Sequence, residues 1–186
     1  MKAVNTMCHP FGAKMRGDEF FQRISIRPPF TKLHPRVAGF LKNYFAKEKV
    51  LAFGDRFVVN THFPPFPSPA FEHLVEQFAE LGNAATRRLY SVTMAVTNRC
   101  PFNCWHCYNA GRSQHDLALP VLRKLAGELQ DLGAVMVTLT GGEPLLRQDL
   151  PDIVRSFDSR SCLILGTTGE GLTLEQALPR LSVAAK

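Results

Sequence analysis

Three cysteines stand close together in this 186-residue chain, in the run Thr97-Asn98-Arg99-Cys100-Pro101-Phe102-Asn103-Cys104-Trp105-His106-Cys107-Tyr108. A C-x3-C-x2-C spacing lets three thiols converge on one soft metal centre, since thiolates favour iron–sulfur clusters, zinc or copper. A [4Fe–4S] cluster is commonly held by four cysteines. Three therefore imply either a missing ligand or an iron left open. Zinc is the structural rival, with His106, Cys8 or His9 as the fourth ligand of a tetrahedral site. A second segment with chemical potential is Thr140-Gly141-Gly142-Glu143-Pro144. Its two glycines let a backbone come close to a ligand, and its carboxylate can offset an ammonium. Standing alone, it would be an ordinary Gly-Gly turn with a solvated glutamate. The third segment, Gly166-Thr167-Thr168-Gly169, fits a ligand-facing strand end or a plain strand-to-helix turn equally well. Cys162 lies in an apolar run and is expected in the core, Cys8 is an incidental thiol, and Trp105 is placed to shield a centre from water.

Those segments sit at the ends of expected strands. Residues 91–97 form a strand that leads into the cysteine loop, and a helix follows over 119–131. Residues 134–140 form an apolar, Val- and Thr-rich strand, entered from Gly133 and left through Gly141-Gly142. A helix over 150–157 and a strand over 162–166 come next. A further helix begins at Leu174, with Pro179 awkward inside it. Strands alternating with helices through short turns argue for an α/β fold with a parallel sheet and right-handed crossovers. Such folds place their sites at the C-terminal rim of the strands, and all three segments fall there. Three βα units are too few for an eight-unit barrel, which takes about 200 residues or more.

The cysteine loop, with Thr97-Asn98-Arg99 before it and Tyr108 after it, resembles the signature of the radical S-adenosylmethionine (SAM) superfamily. Thr140-Gly141-Gly142-Glu143-Pro144, one βα unit later, is similar to that family's GGEP segment, and Gly166-Thr167-Thr168-Gly169 to its third-strand ending. The resemblance implies that Cys100, Cys104 and Cys107 bind three irons of a [4Fe–4S] cluster, and that SAM chelates the fourth. It implies that Gly141, Gly142, Glu143 and Pro144 receive the methionine ammonium of SAM, that His106 lies near its adenine, and that Thr168 lies near SAM or substrate. The implied activity is formation of a 5′-deoxyadenosyl radical for hydrogen abstraction, in cofactor biosynthesis or in peptide or protein modification. A reductant such as flavodoxin or ferredoxin, and a small-molecule or peptide substrate, are the implied partners. The implied fold is a partial (β/α)6 barrel of which residues 89–186 hold the first three βα units, so the chain is expected to be a piece of a larger barrel. The competing class is a non-catalytic iron–sulfur or zinc-binding module with a basic N-terminal interaction surface.

Residues 1–88 are expected to form a small α+β extension. Residues 1–30 show little sustained period; a helix follows from Pro35, a hairpin turns at Gly54-Asp55, an extended Pro-rich connector spans 62–69, and a second helix capped at Ser68-Pro69 runs to a stop at Gly82. The net charge of +6 falls within residues 1–90, while residues 91–186 are balanced. The basic residues are scattered, which fits a solvated face better than a nucleic-acid site. No run reaches the roughly 18 apolar residues of a membrane span, and the first residues lack the apolar core of a signal peptide. A reducing cytoplasm is the expected compartment, with the thiols serving as ligands or core rather than as disulfides.

Overall fold

The computed structural model describes residues 13–80, 88–111 and 113–170. The chain divides into two compact units, Met1–Arg88 and Leu89–Lys186. Cys8, the stop at Gly82 and the helix from Leu174 lie outside the described residues.

The first unit contains β1 (Ala13–Arg16), α1 (Gly17–Ser25), α2 (Pro35–Ala46), β2 (Lys49–Phe53), β3 (Arg56–Val58) and α3 (Pro69–Glu80). The hairpin β2–β3 and the helices α2 and α3 stand where their patterns place them. At the start of α3 the Phe71 amide donates to Ser68 Oγ at 3.1 Å, the usual satisfaction of an orphan helix donor. The stretch before residue 30 is not irregular as expected. There β1 pairs antiparallel with β2, Ala13 opposite Ala52 and Arg16 opposite Lys49, so the hairpin becomes a three-stranded sheet in the order β1-β2-β3. The residues of β1, Ala-Lys-Met-Arg, alternate apolar with polar, but four residues are too short a run to mark a strand, and the pairing with the neighbouring strand decides it. Helix α1 follows, with Asp18 and Glu19 in its first turn and Phe20 and Ile24 fully buried one turn apart. A Cβ on Gly17 would run into the carbonyl oxygen of Phe45, so glycine is what lets α1 begin against the end of α2. The core of this unit is aromatic. Phe20 meets Phe45 edge-on at 5.4 Å, and Phe66 meets Phe71 at 5.2 Å, pairs that contribute about 0.5–1.5 kcal/mol each beyond their burial. The Pro-rich connector holds Phe66 in an isolated antiparallel bridge to Phe57.

The second unit alternates β4 (Ser91–Thr97), α4 (Leu119–Asp131), β5 (Met136–Gly141), α5 (Leu150–Val154) and β6 (Cys162–Leu165). All pairings are parallel, in the order β4-β5-β6, with Thr93 beside Thr138 and Thr138 beside Ile164. This is an α/β arrangement, and β5 is its central strand among the described residues. Leu122 and Ala126 of α4, with Ile153 of α5, pack onto Val96, Val137 and Leu139 of the sheet, all 2% exposed or less. Helix α5 is shorter than the expected 150–157. Ser156 and Phe157 bond back only three residues, to Ile153 and Val154, and this tighter turn carries Phe157 into the core. Gly133, at φ +95°, turns α4 into β5. Next to it the buried Gln130 amide donates to Asp158 Oδ1 at 3.0 Å and to Ser161 Oγ at 2.9 Å, which holds the entry of β6 against the end of α4.

Arg147 ties the far ends of the strands together. Its Nε and Nη2 donate to the two oxygens of Asp149 at 2.6 and 2.8 Å, and its Nη1 donates to the carbonyl of Val96 in β4 at 2.6 Å. The side chain is 6% exposed. The hydrogen bonds to Asp149, together with the charge there, hold the Asp149 carboxyl below the usual aspartate range against the opposing effect of burial. Replacing Arg147 with methionine keeps an unbranched apolar stem and removes the fork. We expect the variant to lose about 2–4 kcal/mol, because Asp149 and a buried carbonyl are left without their donor. Denaturant unfolding followed by a probe in the second unit checks this, and an unchanged midpoint would show that the fork holds nothing.

Candidate metal and cofactor site

The cysteine loop leaves β4 at Thr97 and returns to α4 at residue 119. Its base is closed by Asp116. Asp116 Oδ2 accepts from Thr97 Oγ1 at 2.8 Å and from Arg99 Nε at 3.3 Å, while Oδ1 accepts from the Asn98 amide at 2.9 Å. Burial pushes the Asp116 carboxyl up, but the hydrogen bonds from Asn98 and Thr97 and the charges of Arg99 and Arg147 outweigh it and hold the group low. The side chain of Asn98 reaches further across the loop, donating to the Gln114 carbonyl at 2.8 Å.

Inside that frame the loop makes two consecutive turns, Cys107 N to Cys104 O at 3.1 Å and Ala110 N to Cys107 O at 3.2 Å. Cys100 and Cys104 are exposed, Cys107 is half-buried, and all three thiols are free. They line one cavity of about 200 Å³ together with Asn98, Asn109 and Gly142. The cavity therefore joins the cysteine loop to the Gly-Gly segment at the end of β5, as the sequence spacing anticipates. Among the described residues no three His, Cys, Asp or Glu side chains are already gathered around a metal position; the thiols share a cavity without converging on a point. The donor set still fits a soft metal centre, since it consists of three thiols, and no His, Asp or Glu lines the cavity.

His106 does not line it. The tight turn at 104–107 sends its two central side chains outward, so His106 is exposed with its ring edge-on to Trp105 at 5.0 Å. Trp105 is 95% exposed; in place of the expected shield over the thiols, the structure turns it to the solvent. Tyr108 Oη donates to Thr140 Oγ1 at 3.3 Å and links the loop to β5.

The Gly-Gly segment is built for a close approach, and the partner that approaches is the chain itself. Gly141 sits at φ +135°, and a Cβ there would run into the carbonyl oxygen of Thr97. A Cβ on Gly142 would run into the carbonyl oxygen of Arg99. The Gly142 amide donates to Thr97 O at 2.7 Å and the Glu143 amide to Arg99 O at 2.8 Å. Two glycines thus let the exit of β5 lie directly against the start of the cysteine loop. Pro144 is buried and opens the single 3-10 turn Pro144–Leu146.

Glu143 is 2% exposed, and its carboxylate is filled by protein donors. Oε1 accepts from Leu145 N at 3.0 Å and from Thr167 Oγ1 at 2.6 Å; Oε2 accepts from Thr168 N at 2.9 Å and Thr168 Oγ1 at 2.8 Å. Thr168, at the end of β6, is thereby committed to Glu143. Burial raises the Glu143 carboxyl pKa, and these hydrogen bonds lower it by more, leaving it below its ordinary 4.5. The thiol of Cys162, half-buried in β6, is pushed up by burial alone.

Sequence patterns did not single out Asp116, Asn109, Arg147 or Gln130. Each is a polar side chain with at least one partner more than ten residues away, so no local period marks it.

Replacing Glu143 with glutamine turns one acceptor into a donor facing donors. We expect a loss of about 1–3 kcal/mol near neutral pH. A carboxyl whose native pKa is depressed contributes its full stability above its ordinary value and loses it as the pH falls through the native pKa. The gap between wild type and Glu143→Gln should therefore narrow below pH 4.5. Denaturant unfolding of both proteins across that range measures it, and a gap independent of pH would mean that the ionised carboxylate is not the acceptor.

Comparisons with known proteins find likenesses in the part of the chain that carries these segments. Residues 94–182 match the family model of the Radical SAM superfamily. The GTP 3′,8-cyclase of Photorhabdus laumondii subsp. laumondii is 31% identical over 106 residues, which are 54% of this chain and 32% of that protein. The probable GTP 3′,8-cyclase of Methanothermobacter thermautotrophicus is 33% identical over 100 residues, 53% of this chain and 33% of the relative. The chain thus spans about a third of the length of these relatives. Among solved structures, the crystal structure of BtrN in complex with AdoMet and 2-DOIA matches with a TM-score of 0.45 and 20% identity, over 53% of this chain and 44% of that one. Residues 94–182 are thus similar to the Radical SAM superfamily, and the matched stretch takes in both the cysteine loop and the Gly-Gly segment.

Proposed function

We propose that Cys100, Cys104 and Cys107 hold a [4Fe–4S] cluster in the cavity they share with Gly142, and that SAM binds there against the segment Gly141–Pro144. The observation that carries this reading is that cavity, which brings both sequence motifs to one place. A centre with one open position suits a cavity lined by three thiols and no fourth ligand side chain among the described residues. Zinc would need His106, which the 104–107 turn sends away, or a residue outside the described part. When bound and reduced, the cluster supplies the electron that splits SAM to methionine and a 5′-deoxyadenosyl radical, the hydrogen-abstracting species. The chain's own work is to bind, orient and exclude water. Gly142 brings backbone to the cavity wall, Gly141 lets the end of β5 lie against Thr97, Pro144 fixes the turn beyond them, and Glu143 holds Thr168 and the end of β6 in place. His106, exposed on the loop, is available for the adenine.

The wider architecture follows the same reading. Residues 89–186 are the first three βα units of a partial (β/α)6 barrel, and residues 1–88 are an α+β extension to it. The likeness to GTP 3′,8-cyclases favours a small-molecule substrate in cofactor biosynthesis over a peptide or protein. A flavodoxin or ferredoxin is the fitting reductant, and the reducing cytoplasm the fitting compartment. No helix among the described residues is long and apolar enough to cross a membrane.

Anaerobic reconstitution with iron and sulfide tests this. The expected product carries one cluster per chain, with about four irons and four sulfides, and an electron paramagnetic resonance signal that shifts on adding SAM. Cys100→Ala, Cys104→Ala and Cys107→Ala should each abolish it, and Cys162→Ala should not. Stoichiometric zinc without uptake of iron would overturn the assignment.

A further inference from the structure

One side-chain polar atom among the described residues is buried without a hydrogen-bond partner: Oδ1 of Asn109. Asn109 is 7% exposed and stands two residues after Cys107. That the orphan atom is the oxygen follows from a chain of partners. The Gln114 carbonyl can only accept, so Asn98 presents its Nδ2 there, at 2.8 Å, and its Oδ1 to the other side. Asn109 must then present its Nδ2 to that oxygen, at 3.3 Å. Its own oxygen is left over, and flipping either amide would oppose two groups of the same kind.

An acceptor of this sort destabilises the ligand-free fold unless something donates to it. Asn109 lines the cavity of the three thiols and Gly142. Thiolates and cluster sulfides are themselves acceptors, so neither can satisfy a carbonyl oxygen. A donor for that oxygen would therefore have to come from another ligand entering the cavity, with a small shift of the Asn109 side chain toward it. On the proposed reading, which this inference rests on, the amino-acid end of SAM enters the cavity and chelates the open iron through its amine and carboxylate. The carboxylate has no hydrogen to give, and the amine has.

We propose that Asn109 is a SAM-binding residue whose side-chain oxygen accepts a hydrogen bond from the SAM amine, with Asn98 and Gln114 holding the amide in the orientation that makes this possible. Asn109 would then read the ligand's amino group and leave its adenosine end alone.

The test compares wild type with Asn109→Leu, which is close in size and has no polar side-chain atoms, and with Asn109→Ala, which decides the matter should leucine not be accommodated. Cluster content after reconstitution, SAM affinity, and the affinity for an analogue of SAM lacking the amine are measured for each protein. We expect full cluster content in the variants and SAM binding weakened about tenfold. Affinity for the analogue should be the same as in wild type. Thermal melting of the ligand-free variants should not fall below wild type, because an unsatisfied polar atom has been removed. Unchanged SAM affinity in cluster-replete variants would show that a structural water takes the oxygen, and would overturn the inference while leaving the cluster and SAM assignment intact. Equal weakening of SAM and analogue would overturn it too, by giving Asn109 a purely structural role. A wild-type protein that takes up no cluster would overturn both together.

Discussion

The amides of Gly142 and Glu143 donate to the carbonyls of Thr97 and Arg99 at 2.7 and 2.8 Å, and every other part of the site is placed by that contact. Thr97 ends β4 and Arg99 immediately precedes the first cysteine. Backbones can meet this closely only where nothing projects between them, and a Cβ at either 141 or 142 would collide with those same carbonyls. The cysteine loop therefore cannot be displaced from the end of β5 without breaking two backbone hydrogen bonds that water would have to replace. Parallel strands fix neighbouring ends only through their ladder; here a pair of glycines extends the ladder past the strands and into the loops.

Around that contact the loops are pinned by charge. Three carboxylates and one guanidinium do most of it: Asp116 closes the base of the cysteine loop, Glu143 joins the end of β5 to the end of β6, and Arg147 grips Asp149 and β4. Hydrogen bonds to ionised groups are shorter and stronger than neutral ones, which suits loops that have little apolar surface to bury. Asp116, Glu143 and Asp149 are all held below their ordinary pKa values by the donors around them, so the three clamps weaken in the same acidic range. The rim of this sheet is thus more acid-sensitive than its core, which rests on Val96, Leu122, Val137 and Ile153.

The elements of the second unit were largely legible in the sequence because each carries a local pattern. Short Val- and Thr-containing runs gave β4 and β5, the second marked by glycines at both ends, and the stretch after the cysteine loop gave α4. In the first unit α2, α3 and the hairpin were legible for the same reason. Strand β1 was not, because Ala-Lys-Met-Arg acquires its conformation from pairing with β2. Helix α1 was missed although Phe20 and Ile24 mark one buried face, since nine residues supply too few turns for a period to stand out. At the site the cysteines and Gly141-Gly142 were legible as motifs, but what the glycines approach was not. Sequence suggests a ligand; the structure adds the carbonyls of Thr97 and Arg99. Glu143 differs in a similar way. A carboxylate beside a ligand-binding turn suggests an ammonium, whereas its four lone-pair sites are occupied by Leu145, Thr167 and Thr168. Pairings of this kind span 24 or 25 residues for the two threonines, and no period in the chain encodes them.

The contrast between the pinned base and the exposed thiols has a thermodynamic consequence. Metal binding to a small loop usually has to order the loop as well, and part of the binding free energy is consumed in doing so. Here the ends of the loop are held before any ligand arrives, by Asp116 on one side and Gly142 on the other, so most of the closure entropy is already lost. What remains to be ordered is the short run from Cys100 to Cys107, and two backbone turns already shape its second half. A centre formed on these thiols would need side-chain rotations and small shifts rather than folding of the loop. The same arrangement keeps Cys100 and Cys104 open to solvent until then. Accessible thiols on a held frame suit a site that must be loaded after the chain has folded.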